Sequence, residues 1–105
     1  MTKEEMIEEI REYCGAGRFQ SHTPEEILNA LHEGKRIFVL DTPTGDDDVL
    51  VGESSWEVAL DVAYYHEFFE DYPREDSEGY IELLPPGWEL DDVTENLLRN
   101  LELKE

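Results

Sequence analysis

Carboxylates dominate the chemistry this chain can offer. Of its 105 residues, 28 are Asp or Glu and 8 are Lys or Arg, a formal net charge of −20. Carboxylates this numerous make any pair conceivable as acid and base, and such a pair carries no weight without a pocket. The loop around Asp41, Asp46, Asp47 and Asp48 invites a calcium reading through oxygen ligands. It lacks the alternating aspartate spacing and the distal glutamate of a helix-loop-helix calcium site, and three consecutive aspartates cannot all point at one ion. His22 and His32 have no ligand partner at metal spacing, so no metal site is expected. His66 falls among apolar residues with no Cys, Ser or Asp partner placed beside it, which fits a histidine satisfied locally. Cys14 continues an apolar stripe and reads as a buried thiol. There is no Gly-rich phosphate loop, no cysteine cluster and no nucleophile elbow, and Ser54-Ser55 is better explained as a helix cap. Neither an enzyme nor a cofactor is expected.

The acid is unevenly distributed. Lys3, Arg11, Arg18, Lys35 and Arg36 lie in the first 36 residues, whereas Arg74 is the only Lys or Arg between residues 37 and 98. A solvated surface normally intersperses both signs. Twenty charges match those on about ten base pairs of duplex DNA, at one per roughly 1.7 Å of axis. Nucleic acid and anionic membrane are therefore improbable partners, and a basic protein surface is the expected one. The candidate partner-binding residues are Asp46, Asp47, Asp48, Glu53, Glu57, Asp61, Tyr64, Glu70, Asp71, Glu75, Asp76, Glu78, Glu82 and Trp88. Tyrosines interleave with these acids, which suits arginine through carboxylate bonding and cation–π stacking.

These properties point to a nucleic-acid mimic that occupies the basic groove of a nuclease or nucleic-acid-binding protein and competes with DNA or RNA. In size, acidity and single-domain character the chain resembles phage-encoded anti-restriction and anti-CRISPR inhibitors. That resemblance is one of composition and implies no site residues. The alternative is a protein–protein module, such as an immunity protein or small regulatory subunit. Aromatic anchors such as Trp88, Tyr64 or Tyr80 would then supply the energy and the acids the rim.

The elements that must carry these groups follow from caps and periodicity. Thr2-x-x-Glu5 opens a helix with Met6, Ile7, Ile10, Tyr13 and Cys14 on one stripe, stopped by Gly15 and Gly17. Thr23-Pro24-Glu25-Glu26 opens a second, ended at Gly34. Arg36–Asp41 and Val49–Glu53 read as strands flanking the acidic loop. Ser54-x-x-Glu57 caps a third helix reaching Tyr72, before Pro73, whose broad apolar arc makes it the expected centre of the core. Gly79–Leu84 is a third strand candidate, and Asp92-x-x-Glu95 caps a last helix. Hydrophobic content of 39% argues for a fold that charge alone would oppose. The expectation is one α+β domain over 1–105, a small antiparallel sheet of two or three strands packed against three to four helices, ordered α-α-β-β-α-β-α. With one cysteine, no signal peptide and no membrane-length apolar run, a soluble cytoplasmic protein is expected.

Overall fold

The run RIFVLD, Arg36–Asp41, forms β1, the middle strand of a three-stranded antiparallel sheet, and its four apolar residues are all buried. This is a computed structural model describing residues 1–68, 74–75 and 81–103, with backbone alone at 74–75 and 81–82. On one side β1 pairs with β2, Asp48–Gly52, in the register Phe38↔Leu50 and Val39↔Val49. Successive side chains alternate between faces, so Ile37 and Val39 point one way and Phe38 and Leu40 the other. A strand buried on both faces needs cover on both, and the helices supply it.

The first face carries the main core. Helices α1 (Lys3–Cys14), α2 (Pro24–His32) and α4 (Thr94–Asn100) bring Ile10, Cys14, Ile27, Leu31, Leu97 and Leu101 against Ile37, Val39 and Val49. Two of the expected capping boxes close, Thr2 with Glu5 and Thr23 with Glu26, each hydroxyl accepting a backbone N–H while the glutamate accepts from the threonine N–H. At Ser54 only the hydroxyl bond to the Glu57 N–H is made. These bonds hold the Glu5 and Glu26 carboxyls below their usual range. Gly15 ends α1 at φ 94°, a conformation that costs a residue with a Cβ. Tyr13, expected on the apolar stripe, is an exposed residue.

On the other face, among the described residues, α3 (Ser55–Tyr65) lies against the sheet and buries Val58, Val62 and Ala63. The aromatic helix is therefore not the centre of the core. Its small aliphatic side chains meet the sheet, while Trp56, Tyr64 and Tyr65 face outward. It also stops well short of Tyr72: His66 caps it, and Glu67 takes a left-handed φ of 60° that ends the helical path. Residues 69–73 lie outside the described residues.

The third strand of the sheet is also not where periodicity placed it. It is β5, Glu89–Asp92, paired with β1 in the register Leu40↔Leu90 and Asp41↔Glu89. The sequence ELDD has the charged character of an edge strand, with only Leu90 available to the Leu40 face. Within Gly79–Leu84, Ile81–Glu82 forms β4, which pairs with β3, Arg74–Glu75, in a separate two-stranded ladder. Among the described residues the element order nonetheless holds as an α+β fold, four α-helices with a small antiparallel sheet.

Asp92 and Glu95 form no capping box. The α4 N-cap is Val93, without a side-chain bond. Asp92 instead accepts from the Thr94 N–H at 3.0 Å and the Thr94 hydroxyl at 2.6 Å. That hydroxyl accepts from the buried Ile37 N–H at 2.8 Å, tying β1 to the start of α4. Arg36 bridges Asp92 at 2.6 Å and Glu95 at 2.7 Å. Burial alone would raise the Asp92 carboxyl, but its bonds to Arg36 and Thr94 outweigh that and hold it below the usual range. The Arg36 bonds do the same for Glu95. Thr94→Val keeps the shape and strands the Ile37 N–H in the core. It is expected to lower unfolding free energy by about 1–2 kcal/mol in urea titration, with Thr94→Ser losing less than half as much.

Candidate functional site

Helix α3 is positioned by its cap and its buried stripe. The Ser54 hydroxyl accepts from the Glu57 N–H at 3.2 Å. With Val58, Val62 and Ala63 inward, the spacing i, i+4, i+7 sets Glu57, Asp61 and Tyr64 on one outward face, all exposed. Glu53, just ahead of the cap, is exposed as well. Aromatic rings flank this face: Trp56 is 49% exposed, Tyr64 65% and Tyr65 84%. Glu57 and Asp61 have no ion-pair partner among the described residues.

The C-terminus of α3 is fixed by aromatic packing. His66 lies edge-on to Trp88 at 4.9 Å, stacks on Phe68 at 5.5 Å and meets Tyr65 edge-on at 5.0 Å. Phe68 and Trp88 are themselves edge-to-face at 5.1 Å. His66 is thus a half-buried packing group, and Trp88 is half-buried in the same cluster. The turn at Glu67 places Phe68 on that cluster, which gives a physical reason for the early helix end.

The three loop aspartates are not equivalent. Asp48 accepts from the N–H groups of Ser21 (3.0 Å), Gln20 (3.2 Å) and Val49 (2.8 Å), and from the Ser21 hydroxyl. It anchors the connector 20–22 to the start of β2. Asp47 accepts from the Thr42 N–H at 2.7 Å and faces Arg18, whose guanidinium also pairs with Asp41 at 2.7 Å and donates to the Cys14 carbonyl at 3.1 Å. Both aspartates are half-buried. Asp46 is exposed, bonded within its own loop to the Thr44 hydroxyl. Of the acidic run, Asp46 therefore has the most surface to offer a partner.

Between α3, β2 and the connector lies a cleft of about 470 Å³. Leu40, Leu50, Val58 and Val62 line it together with Asp46, Asp48, Asp61, His22, Tyr65 and His66. Among the described residues no lysine or arginine does. The His22 Nδ1 lies 3.2 Å from the Val49 carbonyl, which can only accept, so Nδ1 carries a proton. In a neutral ring Nε2 is then an acceptor.

Among the described residues, five cations are paired with acids other than those on α3. Lys3 pairs with Glu25 at 2.8 Å, Lys35 with Glu33 at 3.4 Å, Arg11 with Glu8, and Arg18 and Arg36 as described. The acid on α3 is left unanswered by them. Burial pushes the Cys14 thiol up to about 11 against the pull of Arg18, so it is protonated and inert at neutral pH. Among the described residues, no three His, Cys, Asp or Glu side chains converge as a metal site would, and no helix is long and apolar enough to cross a membrane.

Of the candidate residues, Glu57, Asp61 and Tyr64 lie on α3 with Glu53 just ahead of its cap, and Asp46 and Asp48 join Asp61 around the cleft. Glu75 and Glu82 lie in the β3–β4 ladder. Glu70, Asp71, Asp76 and Glu78 lie outside the described residues. Sequence reasoning missed the cleft and with it Tyr65 and His22, because three segments distant in the chain assemble it. The chain matches no protein family, no curated protein and no solved structure.

Proposed function

We propose that this protein is a nucleic-acid mimic, which sets the carboxylates of α3 and the β1–β2 loop into the basic groove of a nuclease or nucleic-acid-binding protein and excludes DNA or RNA from it. The observation that carries this reading is the exposed pair Glu57 and Asp61 on α3, with Glu53 exposed just ahead of its cap and no cation answering them among the described residues, on a chain of net charge −20. Glu57 and Asp61 are about 6 Å apart along the helix axis at 1.5 Å per residue. Phosphates of one DNA strand advance about 3.4 Å each. That single interval is close to the axial advance of two phosphates. Such a partner would be met in the cytoplasm, and steered association would make binding fast and salt-sensitive.

The test begins with salt-eluted capture from the native host and is decided on the purified target. Duplex DNA or RNA should compete with the protein for it, and affinity should fall steeply as salt rises. Glu53→Gln, Glu57→Gln and Asp61→Asn together should weaken binding about tenfold, taking about 0.5 kcal/mol per exposed pair. Binding indifferent to nucleic acid and to the triple change would end the mimic reading. The exposed Trp56 and Tyr65 favour a second reading, an aromatic-anchored protein–protein module. A Trp56→Ala change that abolishes binding while the triple change does not would establish that one.

A further inference from the structure

We infer that the cleft between α3 and β2 receives an arginine side chain of the basic partner. The inference rests on the mimic reading, deepens it, and names the recognition element within that surface. The cleft has two chemical zones. Leu40, Leu50, Val58 and Val62 give it an aliphatic lining, and Asp46 and Asp61 give it charge of one sign. Asp48 is already engaged by the connector and keeps that role. An aliphatic lining with carboxylates beside it fits a ligand with a hydrocarbon stem and a cationic head.

Arginine fits better than lysine for three reasons. Its planar guanidinium takes two carboxylate bonds at once, stacks on an aromatic face, and is more weakly hydrated than an ammonium. Tyr65 supplies an exposed ring within the lining, next to Asp61 on the helix surface at i, i+4. His22, with Nδ1 held to the Val49 carbonyl, contributes an acceptor and no fixed positive charge when neutral. An anionic ligand would meet three carboxylates and, among the described residues, no lysine or arginine, and a neutral one would leave the carboxylates without a counter-charge. A volume of about 470 Å³ holds one such side chain with part of its backbone.

The probe is a blocked tripeptide, Gly-Arg-Gly, titrated into the full chain at low salt and followed by two-dimensional NMR. Saturable shifts should concentrate at Val58, Val62, Tyr65 and His22. The lysine tripeptide should bind more weakly, and the citrulline tripeptide, of the same shape without the charge, should leave these signals in place. Asp61→Asn should weaken the arginine peptide roughly fivefold, the effect of one well-placed ion pair. Glu12→Gln removes the same charge from α1, across the sheet, and should change affinity less than about twofold by the same screening argument. Shifts spread evenly over α1 and α3, or equal effects of the two substitutions, would show attraction by net charge alone and overturn the inference. The two readings fail separately. A target displaced by DNA with no localised peptide shifts removes the cleft and leaves the mimic, whereas a seated peptide without a DNA-competed target removes the mimic and leaves the cleft.

Discussion

Phe38→Ala is expected to lower the unfolding free energy by about 3–5 kcal/mol, the range for emptying a fully buried aromatic site. Phe38 is 0% exposed, in the middle strand, on the face that α3 covers. Its neighbours in register are Leu50 on β2 and Asp92 on β5, and neither can move into the space without breaking the ladder. A domain of this size has only about 5–15 kcal/mol to lose, and self-repulsion at −20 already works against the compact state. The melting midpoint followed by circular dichroism should fall by more than about 12 °C, at roughly 4 °C or more per kcal/mol. Raising NaCl should lift the midpoints of wild type and variant by similar amounts, because the cavity and the surface charge are independent terms. A loss below about 1 kcal/mol would mean that α3 collapses onto the vacancy. The second apolar layer would then be soft, not packed.

How much of this was readable depends on whether the signal was local. The two threonine capping boxes are hydrogen bonds between residues three apart, so Thr2-x-x-Glu5 and Thr23-x-x-Glu26 announce them directly. RIFVLD announces itself by continuity, since a strand buried on both faces has no polar alternation. Asp92 and Glu95 carry the same local pattern, yet Arg36, 56 and 59 residues away, takes both carboxylates. A cap read from spacing loses to an ion pair that spacing cannot show. The strand ELDD is hidden for a related reason: pairing with β1 makes it a strand, and its own side chains scarcely contribute. For α3 the apolar arc was wide enough to leave its inward half undetermined. Large rings would hold the helix off the sheet, and the side that packs is the one with Val58, Val62 and Ala63. The acidic candidates were visible as residue types. Their separation into loop anchors (Asp47 and Asp48) and outward groups (Asp46, Glu57 and Asp61) required the connector and Arg18 to be in place.

Gly52→Val is expected to cost about 2–3 kcal/mol, towards the upper end for overpacking a filled site. A Cβ at position 52 would stand 2.4 Å from the Val58 Cγ2, closer than real Cβ atoms come to any neighbour. Val58 is 2% exposed and β-branched, so its methyl cannot rotate out of the way. The remaining relief is to lift α3 from the end of β2, which opens the layer containing Val62 and Ala63. Gly52→Ala should show a reduced form of the same effect, about 1–2 kcal/mol in urea titration. The decisive comparison is with Val58→Ala, which removes the obstructing methyl. Combined with Gly52→Ala it should recover part of the loss, giving a favourable coupling above about 0.5 kcal/mol in the double-mutant cycle. Strict additivity would show that the close approach of helix and strand is not what seats α3. Because Val58 also lines the cleft, the lifted helix of Gly52→Val should lose the arginine-peptide shifts while Glu57 and Asp61 remain present on its surface. That separation would show that cation recognition depends on where α3 is held as well as on how much charge it carries.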